Sequence, residues 1–209
     1  MDSLVKDLLR EAGRTYAAEA GIALKNQPAP LFQLLTMANL LSARIGAGVA
    51  IAATRELLAA GGTTPRKMLG LGWQERVDAL GRGHYVRYDE STATRLGKMS
   101  ELVLGEYGGD LRELPRRVGH DPGRTRAALQ EFPGIGPTGA DIFCREAQAV
   151  WSWLRPYLDD QTIEGARRLG LPEDVKRLVD LVPERDLAQF AAALVRVARD
   201  RKLADALRG

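Results

Sequence analysis

Apolar residues recur at helical spacing almost throughout this 209-residue chain, and glycine or proline interrupts them at short intervals. Leu31, Leu34, Leu35, Ala38 and Leu41 fall at i, i+3, i+4, i+7 and i+10, an apolar stripe of helical period. Leu187, Phe190, Ala191, Leu194, Val195 and Ala198 repeat the pattern near the C-terminus. Strand-like alternation is absent, as are Asn-Gly and Asp-Gly hairpin signals. Breakers at Gly61-Gly62, Gly70 to Gly72, Gly81 to Gly83, Gly108-Gly109, Pro122-Gly123, Pro133-Gly134, Pro156, Gly170 to Pro172 and Pro183 cut the chain into short helices. The expected fold class is therefore all-α. Residues 45–119 read as one continuous helical block. The N-terminal helices (1–44) and the remainder (120–209) are expected to form a second, discontinuous lobe, with a cleft between the two.

Composition narrows the function classes. An apolar share of 45% supports an ordinary core and excludes a disordered chain. Aromatic residues make up only 6%, which argues against nucleic-acid binding built mainly on stacked rings. A net charge of +3 and a pI near 9.2 permit a polyanionic partner without requiring one. The 30 cations comprise six lysines and 24 arginines, and arginine suits bidentate phosphate contacts. One cysteine, Cys144, excludes an internal disulfide and any four-cysteine cluster within the chain. The opening residues carry charges every few positions, unlike a secretory signal, and no stretch has the roughly 20 apolar residues of a membrane span. A cytoplasmic protein without membrane attachment is expected, and a monomer, since nothing resembles a coiled-coil seam.

The locally unusual segment runs from Thr125 to Ala140. Pro133 ends a first helix, because the residue before a proline is pushed out of the α region. Gly134 and Gly136 allow positive φ or close backbone approach, Ile135 tucks between two helices, and Pro137 suits the first position of a second helix. Such a turn directs backbone N–H groups outward from a helix N-terminus, where phosphate is the usual ligand.

This segment resembles the helix–hairpin–helix motif, and with its surroundings the chain resembles the endonuclease III-like (HhH-GPD) DNA glycosylases. Pro30 to Arg44 looks like that family's "F-x-x-L-…-L-L-S-A-Q" helix. Gly83-His84-Tyr85 resembles the turn before its mid-domain helix, and Leu158 to Gly170 resembles its "V-D-T-H-…-R-L-G" segment. The resemblance implies a two-lobed helical fold, double-stranded DNA with a damaged or mismatched base as partner, and a catalytic carboxylate. Asp159 aligns with that carboxylate without a gap, whereas Asp160 requires a one-residue deletion. Departures are equally informative. Thr138 stands where strand-cleaving members carry a lysine, and no lysine occurs between Lys98 and Lys176, so a Schiff-base nucleophile is missing. Arg44 replaces the glutamine that fills the gap left by an extruded base, Gln161 replaces a histidine, and the iron–sulfur cysteines are absent. No cofactor is expected.

Together these features imply a monofunctional glycosylase with water as nucleophile. A carboxylate near C1′ stabilises the oxocarbenium-like state and orients the water. At a helix N-terminus, Asp159 needs no neighbouring cation to favour its charged form. Arg44 is the candidate plug for the vacated space, with His84 or Tyr85 as a wedge. The amides of Gly134, Ile135 and Gly136 would hold a phosphate, and Arg116, Arg117, Arg124 and Arg126 would extend a phosphate track. Two other classes remain open on sequence. One is a catalytically inactive helix–hairpin–helix DNA-binding protein, since three family positions differ. The other is a helical interaction module whose hairpin binds no nucleic acid, in keeping with a net charge of only +3. Separately, Asp159 and Asp160 have an alternative reading as plain helix caps.

Overall fold

The computed structural model describes residues 3–209. Its helices are α1 Ser3–Ala12, α2 Tyr16–Glu19, α3 Pro28–Leu41, α4 Ala47–Ala59, α5 Pro65–Gly70, α6 Gly72–Arg82 and α7 Asp89–Tyr107. They continue as α8 Glu113–Arg117, α9 Pro122–Leu129, α10 Pro137–Ala147, α11 Asp160–Arg168, α12 Val175–Val179, α13 Leu187–Arg199 and α14 Arg201–Arg208. Among the described residues there is no strand.

Local sequence explains where these helices start and stop. Asp121, Asp159, Asp174 and Asp200 cap α9, α11, α12 and α14, each accepting a backbone N–H of the first turn at 2.7–3.2 Å. Pro28, Pro65, Pro122 and Pro137 occupy first helical positions, where a missing N–H costs nothing. Gly108 ends the 19-residue α7 in the left-handed conformation.

The chain divides into two compact units, residues 17–143 and residues 1–16 with 144–209. These boundaries differ from the expected lobes 1–44 with 120–209 and 45–119, for a packing reason. Helix α3 packs on α4 and its last turn fixes the hairpin at 133–139, so both belong with the central helices. Helix α1 packs on α13 and α14 instead, which assigns the first residues to the C-terminal helices.

In the 17–143 unit the predicted apolar stripe of α3 is buried, but so are Phe32, Thr36, Met37, Asn39 and Leu40 around the rest of the helix. Helix α3 is a central helix rather than an amphipathic one. In the other unit Val5, Leu8, Ala166, Leu178, Phe190, Leu194 and Val197 form a core. Helix α11 approaches α13 so closely that a Cβ on Gly165 would collide with the Leu194 carbonyl. Among the described residues no helix is long and apolar enough to cross a membrane.

Candidate functional site

The hairpin forms as its sequence requires. After α9 ends at Leu129 the chain turns through 130–136 and re-enters a helix at Pro137. Gly134 has φ +85°, and a Cβ there would strike the Asn39 side chain and press on Cδ of Arg95. Glycine is thus dictated by both conformation and space. Gly136 differs: its φ is not positive, it is exposed, and nothing lies within 4 Å of where its Cβ would be. The fold does not demand glycine at 136, so the missing side chain leaves the head of α10 open to close approach from outside. Ala140 makes the first intrahelical bond of α10, to Gly136 O at 3.0 Å. The amides of Gly134, Gly136 and Thr138 have no acceptor among the described residues. The expected three-amide cradle needs one correction. Ile135 is buried and its N–H donates to Phe132 O at 3.0 Å inside the turn, so that amide is not available to a ligand.

The last turn of α3 organises the loops around this hairpin. Buried Asn39 donates through Nδ2 to Pro133 O at 2.7 Å. Ser42 lies so close to Gly139 that a Cβ there would collide with its Oγ. The carbonyl of Leu40 accepts the Tyr85 hydroxyl at 3.5 Å. Tyr85 is fully buried, and burial pushes its phenol pKa up. It therefore anchors the 83–85 turn in the core, which removes it as a wedge candidate. His84 beside it is exposed with φ +63°, its amide bonded to Gly81 O at 2.9 Å. Arg44, two residues past Ser42, is exposed and has no ion-pair partner among the described residues. Four loci the sequence singled out, the hairpin, Thr138, Arg44 and His84, are thus all tied to one helix end, directly or through their neighbours.

Two contributors escaped sequence reasoning. Asn39 left one signal, a polar residue inside the apolar run Leu31 to Leu41. Arg95 left none. It lies on α7 against Gly134, its guanidinium held by Ser91 and Thr92 at 3.1–3.3 Å.

The acidic pair is placed differently. Asp159 caps α11, its Oδ1 accepting the Thr162 N–H at 3.1 Å. Its Oδ2 is ion-paired with Arg145, and the two side chains are only 11% and 6% exposed. A cation that the helix N-terminus did not require is thus present: a buried arginine holds Asp159. Asp160 is the exposed first residue of α11. Arg145 belongs to a buried polar stretch in the last turn of α10. Glu146 accepts the Tyr16 N–H at 3.1 Å, and Gln148 exchanges two 3.0 Å bonds with the Tyr157 backbone.

The proposed arginine track is mostly committed elsewhere. Arg126 grips Asp141 at 2.6 and 3.0 Å, Arg116 pairs with Glu113, and Arg117 lies over the Tyr107 ring near Glu106. Trp151 and Trp153 stack on each other at 5.3 Å, in line with a packing role. Cys144 is buried on α10, and as the chain's one cysteine it does not fit the thiolate set of an iron–sulfur cluster. Among the described residues no cluster of three or more His, Cys, Asp or Glu is arranged to hold a metal.

No protein-family model matches the chain, and no curated protein matches its sequence. Solved structures do match. One is a trapped covalent endonuclease III–DNA intermediate, an estranged-adenine complex, with a TM-score of 0.50. Another is a non-covalent endonuclease III–DNA complex, with a TM-score of 0.51. Each is 18% identical over 93% of this chain and 85% of its own. At that identity the likeness speaks for architecture alone: the chain adopts the endonuclease III-like HhH-GPD fold.

Proposed function

We propose that the protein is a monofunctional DNA glycosylase, which hydrolyses the N-glycosidic bond of a damaged or mispaired base with water as nucleophile. The observation that carries this is the hairpin: unused amides of Gly134, Gly136 and Thr138 surround a position kept bare of side chain for no internal reason. Such a corner takes a phosphate and fixes register without reading sequence. Arg95 against Gly134 and exposed Arg44, without an ion-pair partner among the described residues, add positive charge on the same unit. The solved structures of the same fold are DNA complexes, which supports duplex DNA as the ligand.

Extruding a base from the stack costs a few kcal/mol, and less for a damaged or mispaired one. His84, exposed on the turn that buried Tyr85 anchors, is the wedge in this mechanism, and Arg44 the plug. Asp159 is the carboxylate that stabilises positive charge at C1′ and orients water. Arg145 and the Thr162 amide fix its geometry, while a carboxylate's roughly four lone-pair sites leave capacity for a water. Thr138 offers a hydroxyl where an amine would be needed for a Schiff base, so the base leaves free and the sugar stays in an unbroken strand as an abasic site.

A panel of duplexes carrying uracil, alkylated or oxidised bases tests this. Free base and alkali-labile sites are expected for at least one lesion. Asp159→Asn should abolish release while duplex binding persists under conditions where the variant remains folded, whereas Asp160→Asn should leave release largely intact. Strand breaks without alkali would contradict the water nucleophile. A second reading has one observation in its favour: both oxygens of Asp159 are already engaged, as in a purely structural cap. A non-catalytic DNA-binding protein would bind duplex in a salt-sensitive way and release no base from any lesion.

A further inference from the structure

Arg168 at the end of α11 and Arg201 and Arg208 on α14 line a single concavity of about 300 Å³, together with Ala204. On α14 the positions 201, 204 and 208 are one face of the helix, at i, i+3 and i+7. The two outer arginines flank the small alanine, whose short side chain leaves the space between them open. The first amides of α14 are already satisfied by the Asp200 cap, so the positive character of the concavity comes from side chains.

The three guanidiniums are differently committed. Arg168 donates through Nε to Glu164 at 2.9 Å, and Arg208 through Nη2 to Asp205 at 2.5 Å. Each carboxylate steadies its arginine while leaving other N–H groups of the fork uncommitted among the described residues. Arg201 has neither an ion pair nor a side-chain hydrogen bond among the described residues. Among the described residues no carboxylate lines the recess itself; Glu164 and Asp205 offset part of the charge of Arg168 and Arg208, and with Arg201 an excess of positive charge still faces an entering anion. Guanidinium forks match phosphate oxygens bidentately, and three of them favour a dianion over a monoanion. The volume stands at the lower end of small-molecule sites, room for a phosphate and part of the group carrying it.

We propose that this recess binds a phosphomonoester dianion, carried either by a small phosphorylated molecule or by the terminal phosphate of a nucleic-acid strand. Nothing in the proposed base excision uses these residues, so the site stands or falls independently of it.

Calorimetric titration of the full chain with ribose 5-phosphate, ribose and dimethyl phosphate is the first test. Ribose 5-phosphate is expected to bind, ribose not at all, and the diester monoanion at least tenfold more weakly. Arg201→Glu and Arg208→Glu, at exposed positions, should each weaken ribose 5-phosphate by about tenfold or more, with unchanged unliganded melting temperature. Arg201→Gln serves as a milder check if the reversal perturbs folding. Oligonucleotides with a 5′-phosphate or a 5′-hydroxyl then separate the sources. A phosphate-dependent gain that Arg201→Glu removes, larger than for ribose 5-phosphate, identifies the strand end; a smaller gain or none identifies the small molecule. Equal behaviour of ribose and ribose 5-phosphate, or binding indifferent to all three substitutions, overturns the proposal.

Discussion

Two helix ends hold the loops of this protein, one in each compact unit, and they do it with opposite chemistry. The last turn of α3 uses neutral groups: Asn39 on Pro133 O, Leu40 O for Tyr85, and Ser42 against Gly139. The last turn of α10 uses charged or strongly polar ones: Arg145 on Asp159, Glu146 on the Tyr16 amide, and Gln148 on Tyr157. Where neutral groups do the holding, the cations and amides nearby stay available to a partner. Where charged groups do it, they are consumed. The contrast separates an α3 end that leaves amides and cations uncommitted among the described residues from an α10 end whose charges are paired within the fold, and in the proposed function it makes Asp159 the residue on which catalysis turns.

The largest effect should come from opening that joint. Arg145→Met strands a carboxylate that is only 11% exposed, and urea denaturation should show a loss of about 3–5 kcal/mol. The double substitution with Asp159→Asn should recover much of that loss, and a single-variant loss under about 1 kcal/mol would erase the contrast. Next, Asn39→Ala removes the donor from Pro133 O, with an expected cost of about 1–3 kcal/mol in the same assay. Unlike the arginine variant, it should also weaken duplex binding under conditions where it remains folded. Smaller again, Arg44→Ala and Arg95→Ala should each lower the slope of log affinity against log salt by about one. The smallest stability change belongs to Gly136→Ala, within about 0.5 kcal/mol because its Cβ meets nothing, yet duplex binding should fall. If binding were untouched as well, no phosphate approaches the hairpin there.

Much of the architecture was legible because helical period and helix punctuation are local. Pro137 starts α10, the stripe from Leu187 to Ala198 is buried, and a long helix, α7, follows the turn at 83–85. The hairpin was legible for the same reason, since its glycines and prolines act on their own backbone. Pairings between distant residues were not. Nothing adjacent to Arg145 announces Asp159, and Ile135 gives no sign that its amide is spent within the turn. Polar residues within an apolar helix are an ambiguous signal. In α3, Asn39 braces the hairpin, while Thr36, equally buried, has an Oγ1 without a hydrogen-bond partner among the described residues. Tyr85 reads as surface or core equally well until α3 is in place beneath it.

The contact between Ser42 and Gly139 turns two sequence positions into one choice. A β-carbon at 139 drives the Ser42 hydroxyl away from the Ala38 carbonyl unless residue 42 is smaller. Alanine at 139 alone should therefore cost that hydrogen bond, and glycine at 42 in the same chain should make the substitution easier. That reciprocity supplies a way to spot distant kin of this protein from sequence alone, by looking for a matched pair of sizes where overall identity has faded.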